Sequence, residues 1–134
     1  MKYKKKIFSV ENINVKKLTN KFSTPIYCYS YKALNKNIID FKKNFKSFNP
    51  LVCFSVKSNA NINLLKEIRK LGCGADVVSI GELMIALKAG INKKKIVFSG
   101  VGKTFNELNY AINKDILLIN TESKSEIIQI EKIA

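Results

Sequence analysis

The chain has 134 residues, 46% of them hydrophobic and 25% charged, which suits one modest globular domain and excludes a disordered or fibrous chain. Net charge is +14, yet of the 24 basic residues only Arg69 is an arginine, the residue preferred for reading bases and forking onto phosphates. The charge therefore reads as compositional, in a sequence rich in Lys, Asn and Ile together, and no nucleic-acid partner is expected.

No apolar run approaches the roughly 20 residues that span a bilayer, so no membrane role is expected. The basic N-terminus carries only Ile-Phe-Ser-Val before Glu11, too short for the apolar core of a signal peptide. A cytoplasmic protein is expected. Cys28, Cys53 and Cys73 form no CxxC and there is no histidine, so the thiols read as reduced and no metal site is expected.

Residues 1–23 read as an N-terminal segment, and 24–134 as alternating strands and helices. After the breaker Ser23-Thr24-Pro25, Ile26–Tyr29 reads as a short strand. Tyr31 to Phe48 has Leu34, Ile38, Phe41 and Phe45 at helical spacing and stops at Asn49-Pro50. Leu51–Lys57 reads as a buried parallel strand, with Cys53, Ser55 and Lys57 facing one way and Val52, Phe54 and Val56 the other. A helix over Asn61–Leu71 follows, with Gly72 beyond its end. Next come a strand at Ala75–Ser79, a helix at Gly81–Lys88 and a strand at Lys95–Ser99. Thr104 and Glu107 have capping-box spacing for a helix to about Ile112. A strand at Asp115–Asn120 and a helix at Ser123–Ile133 complete the pattern.

Five βα units in a row imply a parallel α/β sheet, either doubly wound or the first part of a (β/α)8 TIM-type barrel. No GxGxxG follows a strand. GVGKT at Gly100–Thr104 lacks the first glycine of the G-x-x-x-x-G-K-[ST] phosphate loop and is read as a chance match. The chain stops inside a helical pattern, and five units are too few to close eight strands, so a partial barrel from a longer protein is expected.

In both architectures functional residues collect at the strand C-termini, where Lys57, Ser79, Ser99 and Asn120 fall. A lysine at a strand end ordinarily snorkels into water. One held neutral by desolvation can instead add to an aldehyde. Asp76 reads either as a carboxylate capping the following turn or as an acid beside such an amine. Glu82 reads first as an acid in the opening turn of a helix, where the dipole favours it.

Three segments in order, FSVKSNAN at Phe54–Asn61, GCGADVVSIGEL at Gly72–Leu83 and IVFSGVGKT at Ile96–Thr104, resemble the N-terminal part of the diaminopimelate decarboxylases. TPIYCY at Thr24–Tyr29 and INTES at Ile119–Ser123 fit as well. These are fold type III pyridoxal-phosphate decarboxylases with an alanine-racemase-like barrel. The resemblance implies a (β/α)8 barrel followed by a β-domain, a homodimer when full length, and decarboxylation of meso-diaminopimelate to L-lysine. It leaves open another basic amino-acid substrate (ornithine, arginine, carboxynorspermidine) or a non-catalytic pyridoxal-phosphate carrier. It implies that Lys57 carries pyridoxal 5'-phosphate as a Schiff base, that Ser55 lies against the ring, and that Asp76 is an acid near the cofactor. Glu82 matches a further acid. Ile80 stands where the family usually has glycine, and Ser30 where it usually has aspartate. The family's phosphate loops, substrate arginine and ring-stacking histidine have no counterpart here, so these residues alone are expected to turn over nothing.

Overall fold

The computed structural model describes residues 2–4 and 7–134, and the chain divides into two units, Met1–Ser47 and Phe48–Ala134. The first unit begins with three short antiparallel strands, β1 (Lys2–Lys4), β2 (Ile7–Val10) and β3 (Ile13–Asn14). Lys2 pairs with Ser9, and Ser9 with Asn14. The sequence reading gave this basic segment no elements, although Ile7, Val10 and Ile13 are strand formers. Asn14 then caps α1 (Val15–Lys21) by accepting the Lys16 N–H at 2.8 Å.

Ile26–Tyr29, expected as a strand, carries no regular secondary structure and pairs with no strand among the described residues. Strand character comes from a hydrogen-bonded neighbour, which sequence pattern does not supply. Ser30 caps α2 (Tyr31–Asn44) by accepting the Ala33 N–H at 3.1 Å, a role it shares with the aspartate more usual there. Its hydroxyl also donates to Glu11 Oε1 at 2.9 Å, and the Lys32 N–H donates to the same oxygen at 2.8 Å. The Lys32 and Ser30 bonds hold the Glu11 carboxyl below the ordinary carboxylate range.

The second unit is a parallel sheet of β4 (Cys53–Ser55), β5 (Gly74–Val77), β6 (Ile96–Phe98) and β7 (Leu118–Ile119). Helices α3 (Ile62–Lys70), α4 (Ile80–Lys88) and α5 (Phe105–Asn113) connect successive strands, and α6 (Lys124–Ile133) follows β7. Strand order in space equals order in the chain. Right-handed crossovers that all step the same way put every helix on one face.

Burial agrees with that layering. Val56, Ala75, Val77, Ile96 and Phe98 are buried and form one core with Leu65, Leu83, Ala86 and Ala111 from the helices. The alternate residues Cys53, Ser55, Asp76, Val97 and Ser99 are only partly buried, and Leu118 and Asn120 are exposed. A doubly wound sheet would cover both faces. A sheet lined by helices on one side, with strands in sequential order, is an arc of a (β/α)8 barrel.

The strands are shorter than expected. The expected Leu51–Lys57 strand ends at Ser55, and Val56–Ser58 turn into a 3₁₀ helix. Two hydrogen bonds close that turn, Asn59 N–H to Val56 O at 2.9 Å and Ser58 Oγ to Ser55 O at 2.7 Å. Lys57 therefore sits in a turn beyond the strand rather than on its inward face. Gly74 is fixed by packing: an added Cβ would lie 2.0 Å from the Lys95 carbonyl oxygen of the neighbouring strand connection.

Candidate active site

The candidate site is built on the C-terminal ends of neighbouring parallel strands. Ser55, the last residue of β4, is in register with Asp76 of β5, and Asp76 with Val97 of β6. Period-two alternation puts these residues, and Ser99 two positions past Val97, on the face away from the helices. The ladder continues one step past the strands, through Ser99 N–H to Val77 O at 2.8 Å and Asn120 N–H to Phe98 O at 2.9 Å. Ser99 and Asn120 are thereby fixed by backbone bonds although they lie in loops.

Their side chains meet. Ser99 Oγ is 2.6 Å from Asp76 Oδ1, and Asn120 Nδ2 is 3.0 Å from Ser99 Oγ. Asp76 thus takes a side-chain partner and does not cap the following turn. Ser55 Oγ is buried and has no hydrogen-bond partner among the described residues. A buried hydroxyl left unpaired costs about 1–3 kcal/mol, so an acceptor or donor arriving beside it would recover that cost.

Lys57 is exposed and makes no hydrogen bond or ion pair among the described residues. Only the helix-facing side of the sheet is covered, which leaves the Lys57 side chain open to solvent. Ser55 and Asp76 are brought together by register, and Lys57 follows Ser55 by two residues.

Glu82 is committed to the backbone. Its Oε2 accepts the Val78 N–H at 2.9 Å, and Ser79 Oγ accepts the Glu82 N–H at 3.2 Å. Cys53 donates weakly to the Lys95 carbonyl at 3.7 Å; burial pushes its thiol up, and the Asp76 charge adds to that. It is an inert filler rather than a nucleophile. In GVGKT, Lys103 is buried, with Nζ 2.6 Å from the Gly100 carbonyl and 3.2 Å from Glu126 Oε2, so its ammonium is not offered to a phosphate.

Sequence reasoning placed Ser99 and Asn120 at strand ends but gave them no role. Their link to Asp76 depends on strand order, which puts the ends of β5, β6 and β7 side by side. An amine, an unpaired hydroxyl and an oriented carboxylate on neighbouring strand ends fit a ligand with a carbonyl carbon and polar ring substituents.

Residues 31–134 match the family described as pyridoxal-dependent decarboxylase, pyridoxal binding domain. The chain belongs to this family. Diaminopimelate decarboxylase of Helicobacter pylori strain J99 is 43% identical over 121 residues, which cover 90% of this chain and 30% of that protein. The diaminopimelate decarboxylase of Aquifex aeolicus is 42% identical over 125 residues, 93% of this chain and 29% of that one. Among solved structures, the M. jannaschii diaminopimelate decarboxylase in complex with L-lysine has a TM-score of 0.91 at 36% identity, covering 98% of this chain and 32% of that one. The H. pylori enzyme complexed with L-lysine has a TM-score of 0.86 at 41% identity, covering 90% and 30%. The chain thus spans about 30% of the length of the curated relatives it matches. Its one-sided sheet is part of the barrel of pyridoxal-dependent decarboxylases. No helix among the described residues is long and apolar enough to cross a membrane.

Proposed function

We propose that this chain supplies the lysine-bearing part of the pyridoxal-phosphate site of a cytoplasmic diaminopimelate decarboxylase, which converts meso-diaminopimelate to L-lysine and carbon dioxide. The observation that carries the reading is Lys57, which has no hydrogen-bond or ion-pair partner among the described residues, two residues beyond the buried Ser55 hydroxyl, which has none among them either. The names of the similar proteins, and the L-lysine in two of their structures, support the substrate.

Lys57 would hold the cofactor through its amine, Ser55 would hydrogen-bond against it, and Asp76 would face it with a carboxylate. Pyridoxal phosphate, when bound, supplies an electron sink for the pair left behind as carbon dioxide departs. A reactive amine must lose water. The exposed Lys57 lacks that shielding, so the 134 residues alone should hold pyridoxal phosphate weakly and release no carbon dioxide from diaminopimelate.

The test uses the complete protein, loaded with pyridoxal phosphate and reduced with borohydride. Mass spectrometry should find the pyridoxyl adduct on Lys57, and Lys57→Ala should lose both the adduct and carbon dioxide release. An adduct on another lysine, or activity retained in Lys57→Ala, overturns the assignment. Faster release from ornithine, arginine or carboxynorspermidine than from meso-diaminopimelate would reassign the substrate. We propose a homodimer for the complete protein, which sedimentation would test.

A further inference from the structure

We propose that Asn120 and Ser99 form a one-way hydrogen-bond chain that orients the Asp76 carboxylate, which makes both of them positioning residues of the Lys57 site. The proposal rests on the reading that Lys57 holds pyridoxal phosphate.

The direction of the chain follows from what each group can do. An amide NH₂ only donates and an ionised carboxylate only accepts. With Asn120 Nδ2 3.0 Å from Ser99 Oγ, and Ser99 Oγ 2.6 Å from Asp76 Oδ1, the serine lone pair receives the amide proton. The serine proton then goes to the carboxylate. The Ser99 hydroxyl is therefore not a donor for a ligand, and its proton is committed to Asp76. A hydroxyl that already accepts a bond is a better donor, so Asn120 strengthens the contact that Ser99 makes.

Geometry keeps the chain in place. Asp76 is in the middle of the register across β4, β5 and β6. Ser99 and Asn120 are each tied to the preceding strand by a backbone bond, at 2.8 and 2.9 Å. With Oδ1 engaged, Asp76 Oδ2 has no hydrogen-bond partner among the described residues. That oxygen is the one left to meet a protonated or N–H-bearing group of the cofactor, or the amine of Lys57. Nothing else among the described residues holds the carboxylate, so losing Ser99 would let it rotate.

The test uses the complete protein and reads cofactor retention instead of turnover. Dissociation of pyridoxal phosphate is followed by its visible absorption in wild type, Ser99→Ala, Ser99→Thr, Asn120→Ala, Asp76→Ala and the Ser99→Ala/Asp76→Ala pair. A bond to a charged group sets the expected scale: Ser99→Ala should weaken retention about tenfold and Asn120→Ala by less. Ser99→Thr, which keeps the hydroxyl, should restore it. Adding Ser99→Ala to Asp76→Ala should cost nothing further, because the serine acts only through the carboxylate. Asn120 is exposed, so its variant disturbs no core and stands in if Ser99→Ala fails to fold. Wild-type retention in both Ser99→Ala and Asn120→Ala, or additive losses in the pair, overturns the chain. A borohydride adduct still found on Lys57 in those variants keeps the Lys57 reading; its absence from wild type removes that reading and this one together.

Discussion

Lys103 and Glu126 are buried side chains, 1% and 6% exposed, that face each other at 3.2 Å. The lysine also donates to the Gly100 carbonyl at 2.6 Å and lies over the Phe98 ring at 5.9 Å. Burial pushes the Glu126 carboxyl up, but the Glu122 N–H and the Lys103 ammonium outweigh it and hold it below the ordinary range. Removing one partner strands the other charge in a place water reaches poorly. Glu126→Gln should therefore lose about 3–5 kcal/mol of stability in urea unfolding. A loss under about 1 kcal/mol would show that Gly100 and water suffice for the ammonium. In the sequence Lys103 is one lysine among many, set in a motif that resembles a phosphate loop. Its partner is 23 residues away and no local pattern joins the two.

Three of the four βα junctions in the second unit share a device, the exception being α3, which Asn61 caps alone. Ser79, Thr104 and Ser123 each accept the N–H of a glutamate three residues on. Those glutamates return to the backbone, Glu107 to Thr104 N–H, Glu82 to Val78 N–H and Glu126 to Glu122 N–H. Glu107 reaches further, accepting the Ile80 N–H at 3.1 Å, so one carboxylate ties the first turns of α4 and α5 together. Thr104→Ala should cost about 1 kcal/mol and speed hydrogen exchange at the Glu107 amide. Unchanged exchange there would mean that the Ile80 bond alone holds the turn. Helices were legible because caps and 3.6-residue spacing are local. Strand ends were not: a strand stops where its neighbour stops, and the apolar run at Leu51–Lys57 continues past the last ladder bond.

At the scale of the whole chain, a net charge of +14 means that each protonated carboxylate adds to self-repulsion. Glu107 and Glu126 have folded values below the ordinary 4.5. Lowered folded values mean that the unfolded chain takes up protons first. Their stabilisation is complete above the ordinary value and is lost as pH falls through the lowered ones. The urea midpoint should stay level from neutral pH to about 5 and fall below about 4.5, with a shallower fall in Glu126→Gln. A midpoint that rises on acidification would contradict the sign. The parallel α/β class was readable at this scale from the regular alternation of strand and helix, which by itself left a doubly wound sheet and a barrel both open. The face that carries helices was readable on one strand, where the bulky Val52, Phe54 and Val56 alternate with Cys53 and Ser55, and Val56 does join the helix-side core. That the other face carries none was not, because that follows from strand order.

The sequence alone determined helices α2 to α6, the Thr104 cap, the parallel α/β class and the lysine that ends the Leu-Val-Cys-Phe-Ser-Val run, since each depends on neighbours within a few positions; α1 in the basic N-terminal segment was missed. Tertiary structure decided the rest. It placed Lys57 in a 3₁₀ turn, left Ile26–Tyr29 without a ladder, buried Lys103 against Glu126 and joined Asn120, Ser99 and Asp76. The last two are contacts between distant segments, 21 to 23 residues apart, and they exist only once the strands have chosen their neighbours.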